Sequence, residues 1–139
     1  NGESRLTGKK SWSRKMPIRP TDNPDILNMR GLNLFHYSYS NCSMRIRLFL
    51  DEKGIPWNDH FVDLRAQKNL TEEYFAIHPQ GLVPALVDDG VIVHESADIL
   101  EYLEDKFPEP SFIPDDPEDR AELEKILEFM EVVFMHLIL

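Results

Sequence analysis

Apolar and polar positions alternate at the start of Leu32-Asn33-Leu34-Phe35-His36-Tyr37, as in a strand with one buried face. A helical period follows from about Asn41 to Lys53, with Ile46, Leu48, Phe49 and Leu50 as its expected buried side and Gly54 as its stop. Trp57 to Leu64 reads as a second strand centred on Phe61 and Val62, and Thr71 to Ile77 as a short helix ended by His78-Pro79. Val83–Val87 and Val91–Val93 form a hairpin through Asp88-Asp89-Gly90. Glu95 to Lys106 is a third helix, its apolar positions continued by Phe107. The order is βαβ, helix, ββα.

After these elements, four prolines between Phe107 and Pro117 mark a linker. Pro117 opens a further helix, with Glu118 and Asp119 in its electropositive first turn. Leu123, Ile126, Leu127, Met130, Val133, Phe134 and Leu137 follow its period, and 132–139 is apolar nearly all round, a face that needs partners.

At the other end, residues 1–30 show no apolar period and read as a disordered basic tail. Their Arg/Ser content also fits a transit peptide, and Met16 an initiator. Seven Lys/Arg against Glu3, Asp22 and Asp25 give this segment +4 of a net charge of −10, so the remaining body carries −14. Such a body argues against binding nucleic acid or an anionic membrane. One Cys among 139 residues excludes an internal disulfide framework and fits a reducing compartment, and the five His show no zinc-type spacing.

The chemistry concentrates at Ser40-Asn41-Cys42-Ser43-Met44-Arg45, a strand-to-helix turn that holds a hydroxyl and the only thiol. The first N–H groups of a helix lack internal partners and make that end electropositive, which stabilises a thiolate. Taken alone, Ser40 reads as a plain helix cap and Cys42 as a small apolar residue.

A second segment changes the picture. Gln80-Gly81-Leu82-Val83-Pro84-Ala85-Leu86, followed by Val91-Ile92-Val93-His94-Glu95-Ser96, resembles the glutathione-binding half of the glutathione transferases from about Leu32 to Pro117. The resemblance implies a thioredoxin-like βαβ-α-ββα domain over 31–107 with a mixed four-stranded sheet. A Pro-rich linker would follow at 108–117, and at 118–139 the start of an all-helical domain that the chain truncates. It implies a cis bond before Pro84, so that Val83 can pair with the cysteinyl part of glutathione like an added strand. Ser96 would hold the γ-glutamyl carboxylate at a helix start, and Glu95 the γ-glutamyl ammonium. Asn41 and Leu82 complete the expected glutathione contacts. Leu82 stands where the family often has Gln or Lys, so one polar contact is missing. Gln67 and Lys68 are weak candidates for the glycyl carboxylate, and Arg45 and Arg47 are expected to brace the helix against the sheet.

Two residues compete for the reacting sulfur. Ser40 matches the catalytic serine of zeta-type transferases, and Cys42 the reactive cysteine of beta-type transferases and of tetrachlorohydroquinone reductive dehalogenases. Tyr37 and Tyr39 fit the tyrosine-type spacing poorly. The resemblance implies a cytoplasmic, dimeric detoxification enzyme that activates the glutathione thiol against an electrophilic small molecule. Glutathione-dependent dehalogenation or ether cleavage through Cys42, and a non-catalytic interaction module, stand as alternatives.

Overall fold

The structure, a computed structural model, describes residues 18–138, with the side chains of 130, 131 and 133–138 left outside the description. Its strands are β1 (Ile18–Arg19), β2 (Leu32–His36), β3 (Asn58–Phe61), β4 (Ala85–Asp88) and β5 (Val91–His94). Its helices are α1 (Pro24–Leu27), α2 (Asn41–Lys53), α3 (Glu72–Phe75), α4 (Ser96–Lys106) and α5 (Pro117–Ile138). Alternation along the strands splits the core between two faces of one sheet. Leu34, Leu86 and Val93 pack with Ile46, Leu50, Ile99 and Leu103 of α2 and α4. Ala85, Val87 and Ile92 point the other way, toward Ile26, Tyr74 and Ile77. This is the α/β fold expected, with a mixed sheet ordered β1-β5-β4-β2-β3.

Three expectations need correction. The sheet has five strands rather than four, because residues 18–30 do not continue the tail. Ile18 and Arg19 pair antiparallel with Val93 and Ile92, covering the edge that β5 would otherwise expose. Asn23 accepts from Asp25 N–H and Ile26 N–H, Pro24 starts α1, and Ile26 is buried. The rest of the expected tail, residues 1–17, lies outside the described residues. On α2, Ile46 and Leu50 are fully buried, whereas Leu48 is 54% exposed and belongs to the outer face. β3 is shorter than expected for the same kind of reason. It is an edge strand, so only Val62 beyond its end is buried, and Phe61 lies 54% exposed against Tyr37.

α2 crosses over the sheet to make β3 parallel to β2. Gly54 ends it in the left-handed conformation, as its position predicts. At this end the buried Lys53 ion-pairs with Glu104 of α4 and donates to the carbonyls of Phe107 and Pro110. The aromatic rings of Phe49 and Phe112 flank its ammonium. Glu104 in turn accepts from Phe112 N–H at 2.9 Å. One lysine therefore ties α2, α4 and the proline-rich segment together. The apolar stripe of α5 is described as far as Leu123 and Leu127, both half-buried, and Ile126, which is exposed like Phe129 and Val132 beside the stripe; its continuation lies outside the described side chains.

Removing one partner of a buried ion pair leaves the other charge uncompensated. Lys53→Met should therefore cost about 3–5 kcal/mol, and Lys53→Met combined with Glu104→Leu should recover most of the loss. Urea unfolding of the three proteins measures this. An additive double variant would contradict the coupling.

Candidate functional site

β4 runs antiparallel to both β2 and β5. The C-terminal end of β2, the start of β4 and the end of β5 therefore meet at one end of the sheet. Three loops leave from that end, and they hold Ser40, Pro84 and Glu95 respectively.

The first loop is fixed by serines. Ser40 caps α2, its Oγ accepting from Ser43 N–H at 3.1 Å, while Ser40 N–H donates to Tyr37 O. Ser43 is fully buried and its Oγ accepts from Tyr37 N–H at 3.3 Å. The Ser40 hydroxyl acts only as an acceptor in this turn, so its own proton remains available to a ligand. Asn41 is exposed at the first helical position, and Cys42, a free thiol, is half-buried in the first turn. Arg47 donates to His36 Nδ1 and to the carbonyls of Tyr37 and Ser38, bracing the helix against strand and loop as expected. Arg45 does something else. Its Nη1 donates to Ser96 Oγ at 3.1 Å, linking the first turns of α2 and α4.

The second loop is held from α3 and the segment before it. The Val83–Pro84 peptide is cis. The Tyr74 hydroxyl donates to Leu82 O at 2.5 Å, and burial pushes its ionisation up. Asn69 Nδ2 donates to Gly81 O at 2.8 Å. Gly81 has φ +65, and a Cβ there would stand 2.8 Å from Asn69 O, so only glycine fits. Leu82 projects an exposed side chain, and Val83 lies outside both ladders, whose pairing begins at Ala85. Its backbone is therefore not used by the sheet.

In the third loop Glu95 takes φ +77, a left-handed conformation that a non-glycine residue adopts at a cost, characteristic of functional sites. Its side chain makes no capping bond to α4, and it is exposed. Ser96 begins α4 and is half-buried. The Ser96 hydroxyl, accepting from Arg45, keeps its proton for an anion at the helix start.

The other candidates stand apart in character. Tyr37 is buried against Phe61, and Tyr39 is 79% exposed with the Arg65 guanidinium over its ring. Gln67 and Lys68 are exposed in the turn before α3.

Sequence reasoning missed Ser43, Arg45 and a polar cluster. The spacing Ser40-x-x-Ser43 is a capping signal that points to the first. Arg45 lies one helical turn past the Ser40 cap, a position that faces the neighbouring loop. No local pattern joins His78 to His94, which the fold brings to a ring separation of 4.8 Å beside Glu95. Among the described residues, His78, His94 and Glu95 hold their polar atoms within 4.8 Å of one another. His78 Nδ1 accepts from Gln80 N–H at 3.3 Å, which places the ring proton on Nε2. The cluster therefore presents a donor toward Glu95 where a metal would need a lone pair.

These features match known proteins. Residues 39–106 match the family Glutathione S-transferase, N-terminal domain. Glutathione S-transferase 1 of Dianthus caryophyllus is 38% identical over 90 residues, covering 65% of this chain and 41% of that protein. Maleylacetoacetate isomerase of Mus musculus is 39% identical, covering 63% of this chain and 42% of that protein. The crystal structure of the beta-etherase LigF from Sphingobium sp. strain SYK-6 superimposes with a TM-score of 0.68 at 37% identity, over 72% of this chain and 42% of that one. The fold thus defines a thioredoxin-like domain. That part of the chain belongs to the glutathione S-transferase superfamily as its N-terminal domain, with a zeta-like relationship. The chain spans about two fifths of the length of the curated relatives it matches.

His78 also makes the site sensitive to acid. Burial first, then the neighbouring His94 and Arg19, push its imidazole down from 6.5 to about 4. Between those values the unfolded chain takes up a proton that the folded chain refuses. The stability tied to His78 is full above about pH 6.5 and is lost as pH falls toward about 4. Over that window the loss should be on the order of 3 kcal/mol, and His78→Asn should show a pH dependence flatter by that amount. Urea titrations at stepped pH read it. Identical pH dependence in the two proteins would overturn the assignment.

Proposed function

We propose that the protein is a glutathione transferase, with glutathione bound across the three loops. The observation that carries this is their convergence. An unused serine proton, a backbone segment outside the sheet ladders and a serine at a helix start all stand at one end of the sheet. The γ-glutamyl carboxylate sits at Ser96 and the first N–H groups of α4, and the ammonium at Glu95. The cysteinyl backbone pairs with Val83 after Pro84, with Asn41 and Leu82 alongside. The sulfur then reaches Ser40, whose O–H donates to the thiolate and lowers its pKa, each pKa unit being worth about 1.4 kcal/mol. The thiolate attacks an electrophilic small molecule.

The helical part that begins with α5 completes the electrophile site. A cytoplasmic homodimer acting in detoxification fits this reading. No helix among the described residues is long and apolar enough to cross a membrane.

A second reading is supported by the similarity to the beta-etherase and by the half-buried free thiol of Cys42. There glutathione displaces alkoxide or halide from carbon and forms a thioether. The Cys42 thiolate then attacks the thioether sulfur, expelling the carbon as a carbanion that takes up a proton. A second glutathione cleaves the resulting Cys42–glutathione disulfide by thiol–disulfide exchange, leaving as oxidised glutathione. The two readings separate on substitution. Ser40→Ala should lower kcat/KM for a chlorodinitrobenzene-type substrate by roughly 100-fold, the scale of a lost stabiliser of developing charge, while Cys42→Ala keeps most of it. Loss on Cys42→Ala with Ser40→Ala active would reverse the assignment.

A further inference from the structure

Glu95 is held in an uncommon backbone conformation, yet its carboxylate does not cap the helix it precedes. Its surroundings show what it does instead. Glu95 Oε1 lies 3.8 Å from His78 Nε2 and 3.8 Å from His94 Nδ1, so two imidazoles, one from the segment after α3 and one from the end of β5, address one oxygen. The His78 side chain is only 2% exposed. Because its Nδ1 accepts from Gln80 N–H, its Nε2 carries the proton and faces the carboxylate as a donor. His94 Nδ1 is buried without a hydrogen-bond partner among the described residues. A buried nitrogen in that state costs free energy unless something uses it. Glu95 is the group within reach.

Resting on the glutathione reading above, we propose that His78 and His94 are positioning residues that steer the Glu95 carboxylate toward the amino group of the γ-glutamyl moiety. At 3.8 Å neither contact is a hydrogen bond. His78 directs Oε1 by its Nε2–H dipole, and His94 by the Nδ1–H tautomer that a facing carboxylate favours, which leaves the second oxygen to the ligand. An ammonium at that oxygen polarises the carboxylate and draws both donors closer. The strained backbone of Glu95 fixes where the side chain starts, and the two histidines fix where it ends. Because both histidines act through Glu95, the effect falls on binding and on recognition of the amine, and not on the chemical step.

The test measures glutathione binding by calorimetry and steady-state kinetics on the full-length protein, with glutathione and with its analogue lacking the γ-glutamyl amino group. His94→Ala should raise Kd and KM for glutathione roughly 3- to 10-fold, the scale of one net hydrogen bond, with kcat at saturation unchanged. His94→Asn, whose amide nitrogen replaces Nδ1 as a donor, should restore most of the affinity. His78→Gln, which keeps a donor near Nε2, should likewise bind nearly as the wild type does. With the deaminated analogue, or in a Glu95→Gln background, His94→Ala should have no further effect. An effect of equal size with both ligands, or one additive with Glu95→Gln, would overturn the proposal and reduce His94 to a packing role. Unchanged glutathione affinity in Glu95→Gln itself would instead overturn the placement of glutathione, which distinguishes that failure from this one.

Discussion

The antiparallel placement of β4 between β2 and β5 is the constraint on which the rest depends. Strand direction alone decides that the start of β4 meets the ends of both neighbours. It also decides that the turn after β2, the cis-proline loop before β4 and the helix start after β5 share one edge. Leu34, Leu86 and Val93 lock that arrangement on one face, and Ala85, Val87 and Ile92 on the other. A slip of one residue would exchange the two faces, so the register that buries the core also sets the geometry of the site.

Each loop is then stiffened by polar contacts. Ser43 and Ser40 close the first turn, Tyr74 and Asn69 hold the second from behind, and Arg45 joins the first to the third through Ser96. These bonds occupy the groups that face the protein and leave the Ser40 hydroxyl proton and the Val83 backbone facing outward. Lys53 plays the matching part at the far end of α2, where it secures the segment that leads into α5. The site thus sits on rigid elements at one end of the sheet, and the route to the helical part is anchored at the other.

Much of this was legible in the sequence. Asn41–Lys53 with Gly54 behind it, the Asp89-Gly90 hairpin, and Pro117 at a helix start are set by local chemistry, and the structure shows them where the pattern places them. The Val83-Pro84 and Glu95-Ser96 pairs stand out through the family resemblance, and the structure gives the first a cis bond and starts a helix at the second. What escaped was set by tertiary contact. Ile18 and Arg19 are too short a run to read as a strand, and only the open edge of β5 makes them one. Leu48 is as apolar as Leu50, but helical phase turns it to the outer side. His78 and His94 meet only because the loop before β4 and the end of β5 share an edge. Arg45 looked like a brace for the sheet, because nothing local shows that α4 begins within its reach.

Whether glutathione lies along this edge of the sheet is tested most directly by amide hydrogen exchange with and without glutathione. Bound glutathione should newly protect the Val83 and Ser96 N–H groups and leave the Leu34 and Leu86 amides of the core unchanged. Saturating glutathione that protects neither Val83 nor Ser96, or protects only the exposed edge around Tyr39 and Phe61, would contradict it.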